Sequence, residues 1–264
     1  LYSDIIKFSS PRIKFILPMQ LENTNKTINE DSQSITFNYQ NQFSENRFYG
    51  SDLYDTSPRV VYGFENSFYF NEKIFDFNIN QSFETNAKNS YSDKINQKSN
   101  FSDYALETTL NAHNILFKID TRLDEKNLSK KEMNYSLNFE NFIDFSLNYN
   151  ETQTEAFKYL SNDTQSITLD ISKKINENIN LSLNSNLDVK NNYSPYKSLI
   201  ELSLFDECSQ LDIGYTNTRY NDNFNTKPEE TISITFSMDY LGFFGYEQST
   251  NLFFREPGDL NYGL

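Results

Sequence analysis

Apolar and polar side chains alternate along most of this chain. From Lys131 onward, Met133, Tyr135, Leu137 and Phe139 alternate with Asn134, Ser136 and Asn138. After a break, Ile143, Phe145, Leu147 and Tyr149 alternate with Asp144, Ser146 and Asn148. Successive side chains of a strand point to opposite faces, so each segment has one apolar and one polar face. Alternation bounded by Asn, Asp, Gly, Pro and charged clusters predicts strands over 12–22, 33–43, 59–70, 73–84, 101–111, 115–124, 131–140, 142–150, 165–173, 178–188, 197–205, 210–220 and 230–240, with a weak segment at 248–254. Short connections, such as 70–73 and 173–178, largely alternate with longer polar ones, such as 43–59, 85–101, 150–165 and 220–230. Segments of roughly ten residues with sorted loop lengths predict an all-β, antiparallel transmembrane β-barrel, apolar toward lipid and polar toward its lumen. Single-chain bacterial barrels usually have even strand numbers, so the odd number of clear strands points to part of a larger barrel or to one strand miscounted.

Composition supports this picture. Only 37% of the residues are hydrophobic, yet 16% are aromatic, with 24 Phe, 18 Tyr and no Trp. A barrel needs no large apolar core, and Tyr and Phe suit interfacial girdles, although aromatics also favour strands in general. The net charge of −14 argues against nucleic acid as a partner. No run of 18 apolar residues marks a transmembrane helix. The chain starts at Leu1 in mid-pattern, which reads as a fragment of a longer precursor.

Candidate chemistry is sparse. His113 is the single histidine and sits at a short turn. There is no paired-cysteine zinc spacing, Gly-rich phosphate loop or nucleophile elbow. Asn29-Glu30-Asp31-Ser32 lacks the alternating ligands and central Gly of an EF-hand loop. Asp52, Asp55 and His113 have no catalytic spacing. The expectation is a non-enzyme without cofactor or metal. Cys208 is the only cysteine; in an exported protein an odd cysteine suggests a partner elsewhere. Asn138, Asp170 and Ser237 are candidate lumen-facing residues.

Two stretches are more specific. Asn29-Glu30-Asp31-Ser32 leads through Asn41-Gln42-Phe43 and Arg47-Phe48-Tyr49-Gly50-Ser51-Asp52 to Arg59-Val60-Val61-Tyr62-Gly63. Ser102-Asp103-Tyr104 is followed by Thr121-Arg122-Leu123-Asp124. The longer stretch resembles the hallmark of the lipopolysaccharide-assembly family LptD, also known as organic-solvent-tolerance proteins: an N-E-D-S-like start, N-x-F, R-F-x-G-x-D and R-x-x-Y-G. The shorter pair is similar to that family's S-D-Y strand start and R-x-D strand end. Ser51 and the residues 54–57 depart from the family pattern.

The resemblance implies an outer-membrane lipopolysaccharide translocon of a Gram-negative bacterium. Lipid A would pass into the outer leaflet through a lateral seam, and the sugars through the lumen. The implied partners are lipopolysaccharide, an LptE-like lipoprotein inside the barrel, an LptA-like periplasmic bridge and outer-membrane lipid. Residues 1–264 would be the C-terminal part of the barrel, without the N-terminal jelly-roll domain and first strands. Cys208 would pair with a cysteine of that N-terminal part. The alternative is a general or substrate-specific porin or uptake barrel; a secreted β-protein that spans nothing is a third reading.

Overall fold

The computed structural model describes residues 6–18, 36–48, 53–85, 90–190, 194–218, 229–238 and 242–249. Among these residues the fold is all-β. The strands are β1 (Ile6–Ile16), β2 (Arg59–Phe70), β3 (Lys73–Glu84), β4 (Tyr104–Ala112), β5 (Ile115–Leu123), β6 (Lys130–Phe139), β7 (Asp144–Thr152), β8 (Thr164–Asn176), β9 (Ile179–Asp188), β10 (Ser194–Phe205), β11 (Ser209–Thr218), β12 (Glu229–Met238) and β13 (Gly242–Ser249). They follow one another in chain order in one antiparallel sheet. Two short helices, α1 (Tyr39–Gln42) and α2 (Ser90–Lys94), lie in the long connections. None of the described helices is long and apolar enough to cross a membrane.

The chain forms two compact units, one from Leu1–Asn138 with Asn148–Gln165, the other from Phe139–Leu147 with Ser166–Leu264. In each unit, strand register sorts the side chains by face. In the first, Gly63, Asn80, Ala105 and Arg122 lie in one cross-strand row, and Glu65, Asn78, Glu107 and Asp120 in the next. The opposite face carries Phe68, Phe75, Leu110 and Phe117 in register. In the second unit, Ser182, Glu201, Gly214 and Ser233 form a polar row, while Leu181, Leu202, Ile213 and Ile234 form an apolar one. The apolar face stays open: Ile13 is 65% exposed, Phe64 54% and Ile200 48%. An open apolar face of this extent belongs against lipid or a partner, not water.

Turn chemistry sets the short connections. Asn71 and Glu72 have φ of 44° and 62°. Two successive positive φ values make the turn whose twist suits a tight hairpin. His113, with φ 52°, sits in the two-residue turn between β4 and β5, as its position in the sequence predicts; there it alone takes a positive φ. Long connections alternate with these short ones, at 17–58, 85–103 and 153–163 in the first unit.

One expected strand is absent. The described part of 33–43 contains α1 instead. Alternation through Phe37 and Tyr39 suggests a strand, but the Asn38 side chain accepts a hydrogen bond from the Asn41 N–H and caps a helix start. The apolar residues then separate: Tyr39 and Phe43 pack with Ile16 and Val61, and Phe37 joins another cluster. Phe101, expected to open a strand, makes only an isolated bridge to Phe83. The last strand among the described residues is Gly242–Ser249, ahead of the weak segment expected at 248–254, of which 250–254 lies outside the described residues.

Gly63 is required by close approach: a Cβ there would lie 2.8 Å from the Cβ of Asn80. Gly245 has its nearest neighbour, Thr235 Oγ1, at an ordinary 3.5 Å from such a Cβ. Gly63→Val is therefore expected to destabilise the folded protein by about 1–3 kcal/mol. Gly245→Ala should stay within about 0.5 kcal/mol. Urea midpoints read from heat-modifiable gel mobility compare the two.

Candidate functional site

At the strand ends that adjoin the long connections, the polar face of β2–β6 is covered by the chain's own loops, which bury Arg59, Ser82, Glu84, Arg122 and Lys131. Segments 36–48, 53–58, 90–103 and 153–163 form a loop layer with a small apolar centre of Phe37, Phe48, Tyr91, Ile95, Ala105, Ala156 and Phe157. Leu53 and Leu160 pack against it. Such a centre cannot hold long loops alone; buried ion pairs do the fastening.

The first ion network joins Arg47, Asp55, Arg59 and Glu84, whose side chains are fully buried. Arg47 Nε donates to Asp55 Oδ2 at 2.5 Å and its Nη1 to Glu84 Oε1 at 2.6 Å. Arg59 Nη1 donates to the same Asp55 oxygen at 2.8 Å. Its Nη2 donates to the backbone carbonyl of Ser44. Ser92 Oγ donates to Glu84 Oε2 at 2.8 Å, bringing α2 into the network. The Arg47 guanidinium also lies 4.0 Å from the centroid of Tyr91. Burial alone would lower the Arg47 pKa, but Glu84 and Asp55 outweigh it and raise it, so the cation persists. Burial pushes the Tyr91 phenol up to about 12, and the neutral hydroxyl donates to the Thr36 carbonyl at 2.8 Å.

The second network is built on Arg122, near the end of β5. Its Nε donates to Asp103 Oδ2 at 2.6 Å, Nη1 to the Ala156 carbonyl at 2.8 Å and Nη2 to the Ile95 carbonyl at 2.6 Å. Its guanidinium faces Phe37 at 4.5 Å and Phe157 at 5.4 Å. One side chain thus touches all three long connections. Lys131 bridges Asp103 and Asp124, each at 2.8 Å. Burial would raise the Asp124 carboxyl, yet the Lys131 hydrogen bond and the N–H groups of Lys126 and Asn127 hold it well below the usual carboxylate range. Asp103, Asp124 and Glu125 lie close enough to suggest a metal site. Lys131 already supplies the positive charge between the two aspartates.

Backbone bonds zip the layer together. Ser102 N–H donates to the Ser82 carbonyl, Gln153 N–H to Lys131 and Lys158 N–H to Lys94. On the β1 side, Tyr39 Oη donates to Glu65 at 2.8 Å, Arg12 pairs with Glu65, and Lys14 Nζ donates to the Phe43 carbonyl at 2.9 Å.

The sequence-predicted residues divide accordingly. Arg47 and Arg59 come together through Asp55. Tyr62 lies on the other face, its hydroxyl donating to Gln81 Oε1 at 2.6 Å. Gly63 makes room beside Asn80. Asn29, Glu30, Asp31, Ser32, Gly50 and Asp52 lie outside the described residues. Asp170, in β8, accepts from Asn184 on the polar face of the second unit. Ser237 is in register with Gln210 on that unit's polar face. Asn138 belongs to the first unit and is not grouped with them. Cys208 is an exposed free thiol in the short turn between β10 and β11. Sequence reasoning missed Glu84, Ser92 and Lys131, and treated Asp103, Arg122 and Asp124 only as strand-end markers.

The family model LptD, described as LPS transport system D, matches residues 9–187. The chain belongs to the LptD family. The matched span contains both ion networks and the whole loop layer. Comparison with curated proteins found no match. Of the residues in the two specific stretches, Arg47 and Arg59 meet in the first network, and Asp103, Arg122 and Asp124 in the second.

Arg122→Ala is expected to cost about 3–5 kcal/mol, because it strips a buried aspartate of one cation and frees two buried carbonyls. Arg122→Lys should recover little, since a single ammonium cannot reproduce the planar fork that reaches Asp103, Ala156 and Ile95 together. Limited proteolysis within 153–163, alongside unfolding midpoints, measures both.

Proposed function

We propose that this chain forms part of the wall of an outer-membrane lipopolysaccharide translocon, which inserts lipopolysaccharide into the outer leaflet through its lumen and a lateral seam. Membership of the LptD family is the observation that carries the proposal. The two-faced strands support it. Leu, Ile and Phe on the open apolar face meet lipid tails, and Asn, Ser, Thr and Asp on the polar face offer hydrogen bonds to sugar and water.

In this reading the chain lies in the outer membrane of a Gram-negative bacterium and is the C-terminal part of the barrel. An LptA-like bridge delivers lipopolysaccharide through a periplasmic domain outside these residues, and an LptE-like lipoprotein sits in the lumen. The exposure of Cys208 supports pairing with a cysteine of the periplasmic portion. The seam depends on strand edges, whose unpaired backbone groups allow opening and closing.

Photocrosslinking probes at Asn138, Asp170 and Ser237 in the full-length protein test the proposal. Crosslinks to lipopolysaccharide that require energised delivery are the expected result. Failure at all three positions in correctly inserted protein would favour a porin or uptake barrel.

A further inference from the structure

The first ion network leaves a set of buried polar atoms with no partner. These are Gln42 Nε2, Arg47 Nη2, Arg59 Nε and Asn80 Oδ1. Their residues are sealed: Gln42 is 0% exposed, Arg47 1%, Arg59 2% and Asn80 2%. Arg47, Arg59 and Asn80 cannot simply turn to find a partner, because their other polar atoms already hold them, and turning the Gln42 amide would only exchange an unpaired donor for an unpaired acceptor. Gln42 Oε1 accepts from Ser82 Oγ at 3.2 Å, and Asn80 Nδ2 donates to the Tyr39 carbonyl at 2.7 Å. Arg47 is fixed through Nε and Nη1, and Arg59 through Nη1 and Nη2.

These atoms follow one line of the fold. Asn80, Ser82 and Glu84 alternate along β3 and therefore share a face. Gln42 is bonded to Ser82, Arg47 to Glu84, and Arg59 is the register partner of Glu84. An unpaired donor thus hangs from each of three neighbouring points, with an unpaired acceptor at the end of the row. Buried polar groups left unmatched are costly, and native proteins pair them with one another or with ordered water.

We infer that the loop layer encloses a built hydration site, occupied by ordered water along Asn80, Gln42, Arg47 and Arg59. Water fits the chemistry at both ends. A single molecule can accept from Gln42 Nε2 while donating to Asn80 Oδ1, and another can accept from the arginine N–H groups. An anion would satisfy donors only. It also has no net charge to neutralise, since Arg47 and Arg59 are balanced by Asp55 and Glu84. The loop layer is therefore wet at its polar contact with β3 and dry at its aromatic centre.

Crystals of the full-length protein grown in sodium chloride and in sodium bromide, at a resolution that shows ordered solvent, test the inference. The expected result is a solvent peak within hydrogen-bond distance of Gln42 Nε2 and Asn80 Oδ1 in both salts, without bromine anomalous signal. A bromine peak there would make the site an anion site. Clean absence of density, with the side chains repacked against one another, would make it dry. Either result overturns the inference.

Discussion

The loop layer rests on Arg122. A guanidinium taken out of water is tolerated only when its donors are matched, and here its three nitrogens meet a carboxylate and two carbonyls. Those acceptors lie at Asp103, Ala156 and Ile95, and the guanidinium is flanked by Phe37 and Phe157. The layer can therefore settle in few other ways without leaving a buried charge unmatched. Each network is charge-balanced, Arg47 and Arg59 against Asp55 and Glu84, Arg122 and Lys131 against Asp103 and Asp124. Buried ion pairs of this kind add modest net stability over an apolar core, but they penalise wrong arrangements heavily. Positional specificity is what a long polar connection lacks by composition, and the networks provide it.

The strands follow from simpler physics. Alternation at period two defines faces, and it locates 59–70, 73–84 and 115–124 almost residue for residue, because nothing local competes with it there. It fails at 33–43, where the Asn38 cap and the burial of both Tyr39 and Phe37 in different directions override the same alternation. Polar connections read as solvent loops for the same reason: composition reports average exposure, whereas Arg47, Asp55 and Ser92 are buried by specific pairing in a network that also draws in Glu84, 37 residues beyond Arg47. Asp103 and Arg122 were visible only as strand-end signatures. Their meeting across β4 and β5 depends on the Ala105–Arg122 register, which no single segment announces.

For this member of the LptD family, the consequence is a division of labour between faces. The apolar face is left open. In the first unit, the polar face beside the long connections is given to the chain's own loops, and Arg47, Arg59, Asp103 and Arg122 fasten them there. Their role is architectural: they fix which part of the polar surface the chain keeps for itself. In the second unit, polar rows of Asn, Ser, Thr and Asp run along β8–β12 and bond mainly across strands, as Thr168 does to Asn186 and Asn184 to Asp170.

Amide hydrogen exchange on the full-length protein in lipid bilayers tests most directly whether the loop layer is a fixed part of the working molecule. Exchange at Ser102, Gln153 and Lys158 reports on its backbone bonds to Ser82, Lys131 and Lys94. The account predicts protection at these amides comparable to that of the β3 and β4 strand amides. Exchange at the rate of an unstructured peptide, with the strands still protected, would contradict it.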